Sequence, residues 1–293
     1  MHGLAEVVVV ALGALLLTQS PPGPPGPAPI TPQSAPEDPE AVAELGEVMV
    51  DGRTREIVRS FVSDVSVSRG RRGQLARFDR SVCPGVIGIR PDYAQVLNDR
   101  IARVALALDL RVGGPGCRPN ILIVAAADAE ELSAYIDLAP NTFEHYAETL
   151  ERKTEALADI RRPRPVRWWH QTQLVMTGDS LSRLRSPNRT DIRKALILLD
   201  MEQIGTVNFG ALSDYVAMVA LARLNPDAEV SGLSTILNLF ENAETRQADM
   251  GLTPWDADYL QALYGADRNL AVRRQHEAHI VWQMMRRPGA DSR

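Results

Sequence analysis

Ile121-Leu122-Ile123-Val124-Ala125-Ala126 is an unbroken apolar run of strand length, entered from Cys117-Arg118-Pro119-Asn120 and left at Asp128. A strand with one wet face alternates apolar and polar residues, so a run without alternation predicts a strand buried on both faces, central in its sheet. Upstream, Pro91 opens a long helix with Tyr93, Val96, Leu97, Ile101, Val104 and Leu108 at helical spacing. Earlier still, a short strand over 47–50 and the Asp51-Gly52 turn lead into a helix with Ile57, Val58, Phe61, Val62 and Val65 on one face. Downstream, two helices over 129–138 and 142–160 end at the breaker Arg161-Arg162-Pro163-Arg164-Pro165. Strands over 166–176 and 195–201 then flank a polar loop, and from Phe209 onward the pattern is helical only. These elements predict an α+β fold: a modest mixed sheet with packed helices, then an all-helical C-terminal third.

The start of the chain has a different character. Leu4 to Thr18 is an apolar run that breaks into a proline-rich segment from Pro21 to Pro39. An apolar core of that length suits an export signal and falls short of the roughly 20 residues that span a bilayer comfortably. Residues 1–20 are therefore expected to be a signal peptide or an uncleaved N-terminal anchor. No Lys or Arg precedes the run, and Ser20, Gly23, Gly26, Ala28 and Ala35 are each followed by proline, which disfavours cleavage after them. The anchor reading, with N-terminal membrane association through residues 4–18, thus stays open beside the periplasmic or secreted one. Residues 21–40 have the composition of a stiff, solvated polyproline tether. The expected single α+β domain spans 41–287, large enough to bury most of its chain surface, and 288–293 reads as a disordered tail.

Charge argues against nucleic acid as a partner. The net charge is −5 and the arginines are scattered, without the basic stripe that phosphate backbones require. The one dense basic cluster, Arg69-Gly70-Arg71-Arg72-Gly73, reads as a solvated loop between helices. Two cysteines, Cys83 and Cys117, stand beside proline and glycine. An even pair in an exported chain reads as a disulfide, and neither has a second Cys or a His at metal-ligand spacing.

The five histidines do not assemble a familiar site. His2 belongs to the leader, His145 sits among Glu144 and Glu148 on a charged helix face, and His170 lies in a strand with Trp168 on its own face and Trp169 on the other. His276 and His279 are three apart, flanked by Arg273, Arg274 and Gln275, which reads as a solvated surface helix. There is no Gly-x-Ser-x-Gly elbow around Ser180, and no phosphate loop. Gly113-Gly114-Pro115-Gly116 contains a proline that removes an amide donor, so it reads as a turn. No catalytic residue, metal or cofactor is expected from these patterns.

The most specific motif lies near the end. In the segment from Leu252 to Gly265, Thr253 is a good N-cap and Pro254 a good first helical residue; Asp256 suits the positive end of the helix, and Leu260, Leu263 and Tyr264 form an apolar stripe. This stretch resembles the last helix of the catalytic domain in zincin-type metallopeptidases, particularly the matrixins. The segment from Leu212 to Leu221 resembles the place of their zinc-binding helix, and Leu233 to Phe240 is similar to the segment that follows it in bacterial relatives. From the tether onward the layout also resembles uncharacterised exported proteins of α-proteobacteria. The resemblance implies a zincin-like fold. It does not carry the activity across, because Asp214-Tyr215-Val216-Ala217-Met218 stands where a peptidase has His-Glu-x-x-His, so zinc ligands and general base are missing. The expectation is a catalytically inactive, zincin-like envelope module that binds a protein or small ligand through a degenerate cleft at Asp214, Tyr215 and Met218. The alternative is a hydrolase with an unrecognised site, with Asp200, Glu202, Asp214 and His170 as first suspects.

Overall fold

In the computed structural model, the central apolar run forms a strand with neighbours on both edges. The described residues are 53–68, 73–128, 160–176, 186–241 and 251–286, with isolated positions at 130–132, 134, 158 and 178. The leader, the tether, the strand over 47–50 and its Asp51-Gly52 turn, the basic cluster Arg69 to Arg72, most of the helices over 129–138 and 142–160, His145, Ser180 and the tail lie outside them. The described residues belong to the unit Val50–Arg293.

In chain order the elements are α1 (Arg55–Val65), β1 (Arg77–Phe78), β2 (Pro84–Ile87), α2 (Pro91–Ala107), β3 (Ile121–Ala126), β4 (Val166–Met176), β5 (Asn188–Asp200), α3 (Met201–Ile204), α4 (Phe209–Leu221), a 3-10 helix (Ile236–Phe240), α5 (Pro254–Gly265) and α6 (Arg273–Arg286). The sheet is mixed. β2 and β3 run parallel, joined by α2 as a crossover. β3 also pairs in parallel with Ala195–Asp200 of β5, while β1 pairs in parallel with its earlier residues Asp191 and Ile192. β4 runs antiparallel along β5. From Met201 on, every named element is helical, matching the expected C-terminal third.

β5 begins seven residues earlier than its apolar pattern indicates. Asn188, Arg189, Thr190 and Asp191 carry no hydrophobic alternation, yet they pair with Leu174 to Met176 and with Gln173. Their charges are matched locally: Arg189 binds Asp191 at 3.0 Å and also Asp79, and Arg268 binds Asp79 at 2.6 Å. A register shift beside Gln171 leaves Arg193 as the extra residue of a β-bulge. Strict alternation would put Ile192 and Ala195 on opposite faces; the extra residue lets both join Ile197 and Leu199 in the main core.

The two sheet faces bury different sets. Ile121, Ile123, Ala125, Ala195, Ile197, Leu199, Val166 and Trp168 face the main core with α2, α4 and the later helices. Val124, Ala126, Leu196 and Leu198 face a smaller cluster closed by Leu132 and Ile160. α2 presents Leu97, Ile101 and Ala105 to the core; Tyr93 and Val96, which the spacing alone would have turned inward, are 41 % and 47 % exposed. On α1, Val58, Phe61, Val62 and Val65 are buried while Ile57 is exposed, and Phe61 meets Trp255 and Tyr259 of α5 edge to face at 5.2 and 5.8 Å.

Cys83 and Cys117 are bonded, with Cα atoms 6.1 Å apart. The bond ties the entrances of the parallel neighbours β2 and β3. Asn120 reinforces it: its side-chain oxygen accepts from the Cys83 amide at 2.7 Å and its own amide donates to the Cys83 carbonyl at 3.0 Å. A Cβ at Gly113 would lie 2.6 Å from the Cys117 sulfur, so the turn over the disulfide needs glycine there. No described helix is long and apolar enough to cross a membrane.

Candidate functional site

α4 is buried on every side, from Ala211 to Leu221. Apart from Ser213 and Asp214 its residues are apolar or aromatic on every face, the pattern of a helix that sits in the interior. Its start is fixed by Asn208, whose side-chain oxygen accepts from the Gly210 and Ala211 amides at 2.8 and 3.3 Å. The Ser213 hydroxyl donates to the Phe209 carbonyl at 2.7 Å, which satisfies a polar group inside the first turn.

The three residues of the expected cleft point to three environments. Asp214 turns toward α2, where both carboxylate oxygens accept from the Arg100 guanidinium in a bidentate pair. Its side chain is 2 % exposed against 30 % for Arg100, and a Cβ at Gly251 would lie 2.9 Å from Asp214 Oδ2, so the chain passes directly over the pair. Met218 is sealed in the core. Tyr215 alone of the three reaches a pocket. Its ring packs edge to face against Trp168 of β4 at 6.2 Å and Phe240 of the 3-10 helix at 5.1 Å.

That pocket has a volume of about 180 Å³ and is walled by the three rings with Val166, Val230 and Leu237, with Arg164, Asn225 and Glu241 as its polar groups. The wall is well braced. Trp168 donates from its indole nitrogen to the Leu224 carbonyl at 3.2 Å, and Asn225 is held by the Val65 and Asp64 carbonyls at 2.9 and 3.1 Å. Arg164 is bound to Asp227 at 2.5 Å, and Arg162 reaches the same carboxylate at 3.1 Å. Burial pushes the Tyr215 phenol well above its ordinary pKa, with Arg164 pulling down and Glu241 pushing up by smaller amounts. It is therefore neutral at any physiological pH, a hydrogen-bond donor rather than a base. Among the described residues no group is hydrogen-bonded to its hydroxyl.

The suspects for a hydrolytic site do not converge. Asp200 binds Arg167 at 3.1 Å and caps α3 by accepting from the Gln203 amide at 3.2 Å and its side chain at 2.5 Å. Glu202 is exposed, and Asp214 is committed to Arg100. His170 donates from Nε2 to the Ala220 carbonyl at 3.2 Å, and burial lowers its pKa to about 4. His276 and His279 differ from the expected solvated pair: His276 is buried, bonded through Nε2 to the Leu270 carbonyl at 3.2 Å, with its pKa lowered to about 4 by burial. Its helix turns that face inward because α6 packs on α1 and α5. Among the described residues no group of three or more His, Cys, Asp and Glu side chains could hold a metal ion.

Sequence reasoning found Tyr215 but not its surroundings. Trp168 stood out as part of an aromatic strand, whereas Arg164, Phe240 and Glu241 come from segments far apart in the chain, and no motif links them. No protein-family model, curated protein or solved structure matches the chain, so the site is judged on its own chemistry.

Proposed function

We propose that this chain is an exported, catalytically inactive binding module of zincin-like architecture, and that the Tyr215 pocket is its ligand site. The observation that carries the reading is a neutral phenol, buried and without a described hydrogen-bond partner, lining an aromatic pocket; the resemblance in sequence aligns it with the general base of a zinc peptidase. A neutral phenol in a braced aromatic pocket can donate a hydrogen bond to a ligand but is no base for activating water. Three features support the architecture: a mixed sheet with an antiparallel β4, a buried helix α4 that follows β5 after the short α3, and a capped helix α5 later in the chain. Export is supported by the apolar leader, the proline tether and the Cys83–Cys117 bond, which suits an oxidising compartment. A pocket of this volume has room for one compact group, which favours a small ligand, or a single side chain of an envelope protein, over an extended substrate.

The test is a panel of peptidase and esterase substrates, with and without added zinc, run beside a fragment-binding screen read by protein fluorescence. Absence of turnover together with fragment binding that Ala228→Trp blocks is the expected result. Turnover abolished by a chelator would overturn the reading.

A further inference from the structure

We infer that the Tyr215 pocket is a cage for an alkylated ammonium group, a trimethylammonium-type cation; this rests on the reading of that pocket as the binding site. The walls carry the argument. Trp168, Tyr215 and Phe240 line one pocket of about 180 Å³, and successive rings stand at interplanar angles of 69° and 75°. The rings meet edge to face, and a ring face turned to the pocket attracts a cation through its quadrupole.

The rim supplies a carboxylate for such a ligand. Arg164 is the cation that would oppose such a ligand, and it is bound to Asp227 at 2.5 Å. Glu241 is the other ionic group of the lining; it is exposed, and no ion pair of it occurs among the described residues. Arg162 and Arg164 share Asp227, so with Glu241 the rim carries no net charge, and Glu241 is the carboxylate left to meet a cation. An alkylated ammonium needs few hydrogen bonds because its charge is spread over its methyl groups, so it suits a pocket whose walls are apolar and whose carboxylate stands at the edge.

The experiment titrates the full chain with choline and with 3,3-dimethylbutan-1-ol, the neutral carbon isostere of choline, following fluorescence or heat. Choline is expected to bind about tenfold more tightly than the isostere, the ratio that about 1.4 kcal/mol of cation recognition produces. Glu241→Gln, at an exposed position, should bring that ratio toward unity while binding of the isostere is kept, and Phe240→Leu should weaken choline more than the isostere. Equal affinity for the two would overturn the cation inference and leave the pocket reading standing; binding of neither would remove both. Phosphatidylcholine vesicles provide a further arm. Choline binding with co-sedimentation that free choline competes away assigns the group to a lipid headgroup, and choline binding without co-sedimentation assigns it to a free solute; either outcome supports the cage.

Discussion

Asp214 and Tyr215 are adjacent in sequence, and α4 sends them to opposite surroundings. The carboxylate of Asp214 is a structural partner of Arg100, so Asp214→Asn should cost about 2 kcal/mol, less than a fully buried pair because Arg100 can rehydrate in part. Tyr215→Phe removes a hydroxyl without a described partner and should change stability by less than about 0.5 kcal/mol while altering ligand binding. Urea denaturation of the two variants checks the contrast; a Tyr215→Phe loss as large as that of Asp214→Asn would mean the phenol is bonded structurally. His170 gives a pH prediction. Its folded pKa of about 4 lies below the unfolded value of 6.5, so the unfolded chain binds the extra proton. Stability is full above pH 6.5 and falls as the pH drops toward 4, by about 2 kcal/mol between pH 7 and 5 from this group alone. His170→Gln, which can still donate to Ala220, should reduce the measured drop over that interval by about that amount. The burial that causes this shift was partly visible in Trp168-Trp169-His170, but the Ala220 carbonyl that fixes the ring comes from α4, fifty residues on.

Among the elements, α5 is the one whose start the residues announced most clearly. Thr253, Pro254 and Asp256 predicted an N-terminus, and a capping box forms there: Thr253 Oγ1 accepts from the Asp256 amide at 3.3 Å and Asp256 accepts from the Thr253 amide at 2.9 Å. What local pattern could not indicate is that the same carboxylate also accepts from the Thr235 hydroxyl at 2.5 Å and the Ile236 amide at 2.9 Å, and so joins the start of the 3-10 helix to α5. Asp256→Ala should therefore cost about 3 kcal/mol, well above the roughly 1 kcal/mol of an ordinary cap, since several buried donors lose their acceptor together. Hydrogen exchange at Ile236 should quicken in the same variant; a loss confined to α5 amides would show that the second set of bonds is unimportant. β5 is the converse case. Its C-terminal half was legible as an apolar run, while its polar first half is a strand only because β4 supplies backbone partners and Asp79 and Arg268 supply counter-charges.

For the molecule as a whole, the disulfide is the most direct check on compartment and stability together. The cysteines are 34 residues apart, and closing a loop of that length stabilises by about 3 to 4 kcal/mol in the loop-entropy model. The Cys83→Ser, Cys117→Ser double variant should lose an amount of that order in denaturant unfolding. Protein recovered from outside the cytoplasm should contain no free thiol, and two free thiols on unreduced material would contradict both the bond and the export reading. The sequence by itself determined the elements whose signals are local: the central strand from its unbroken apolar run, the start of α2 from Pro91 and that of α5 from its Thr253 cap, and the paired cysteines. Only the tertiary structure decided which side of α4 each residue serves. Burial on all sides erases the amphipathic pattern that would have told inward from outward, and the Tyr215 pocket is assembled from β4, α4 and the 3-10 helix, whose meeting is fixed by packing and by long-range hydrogen bonds rather than by any spacing along the chain.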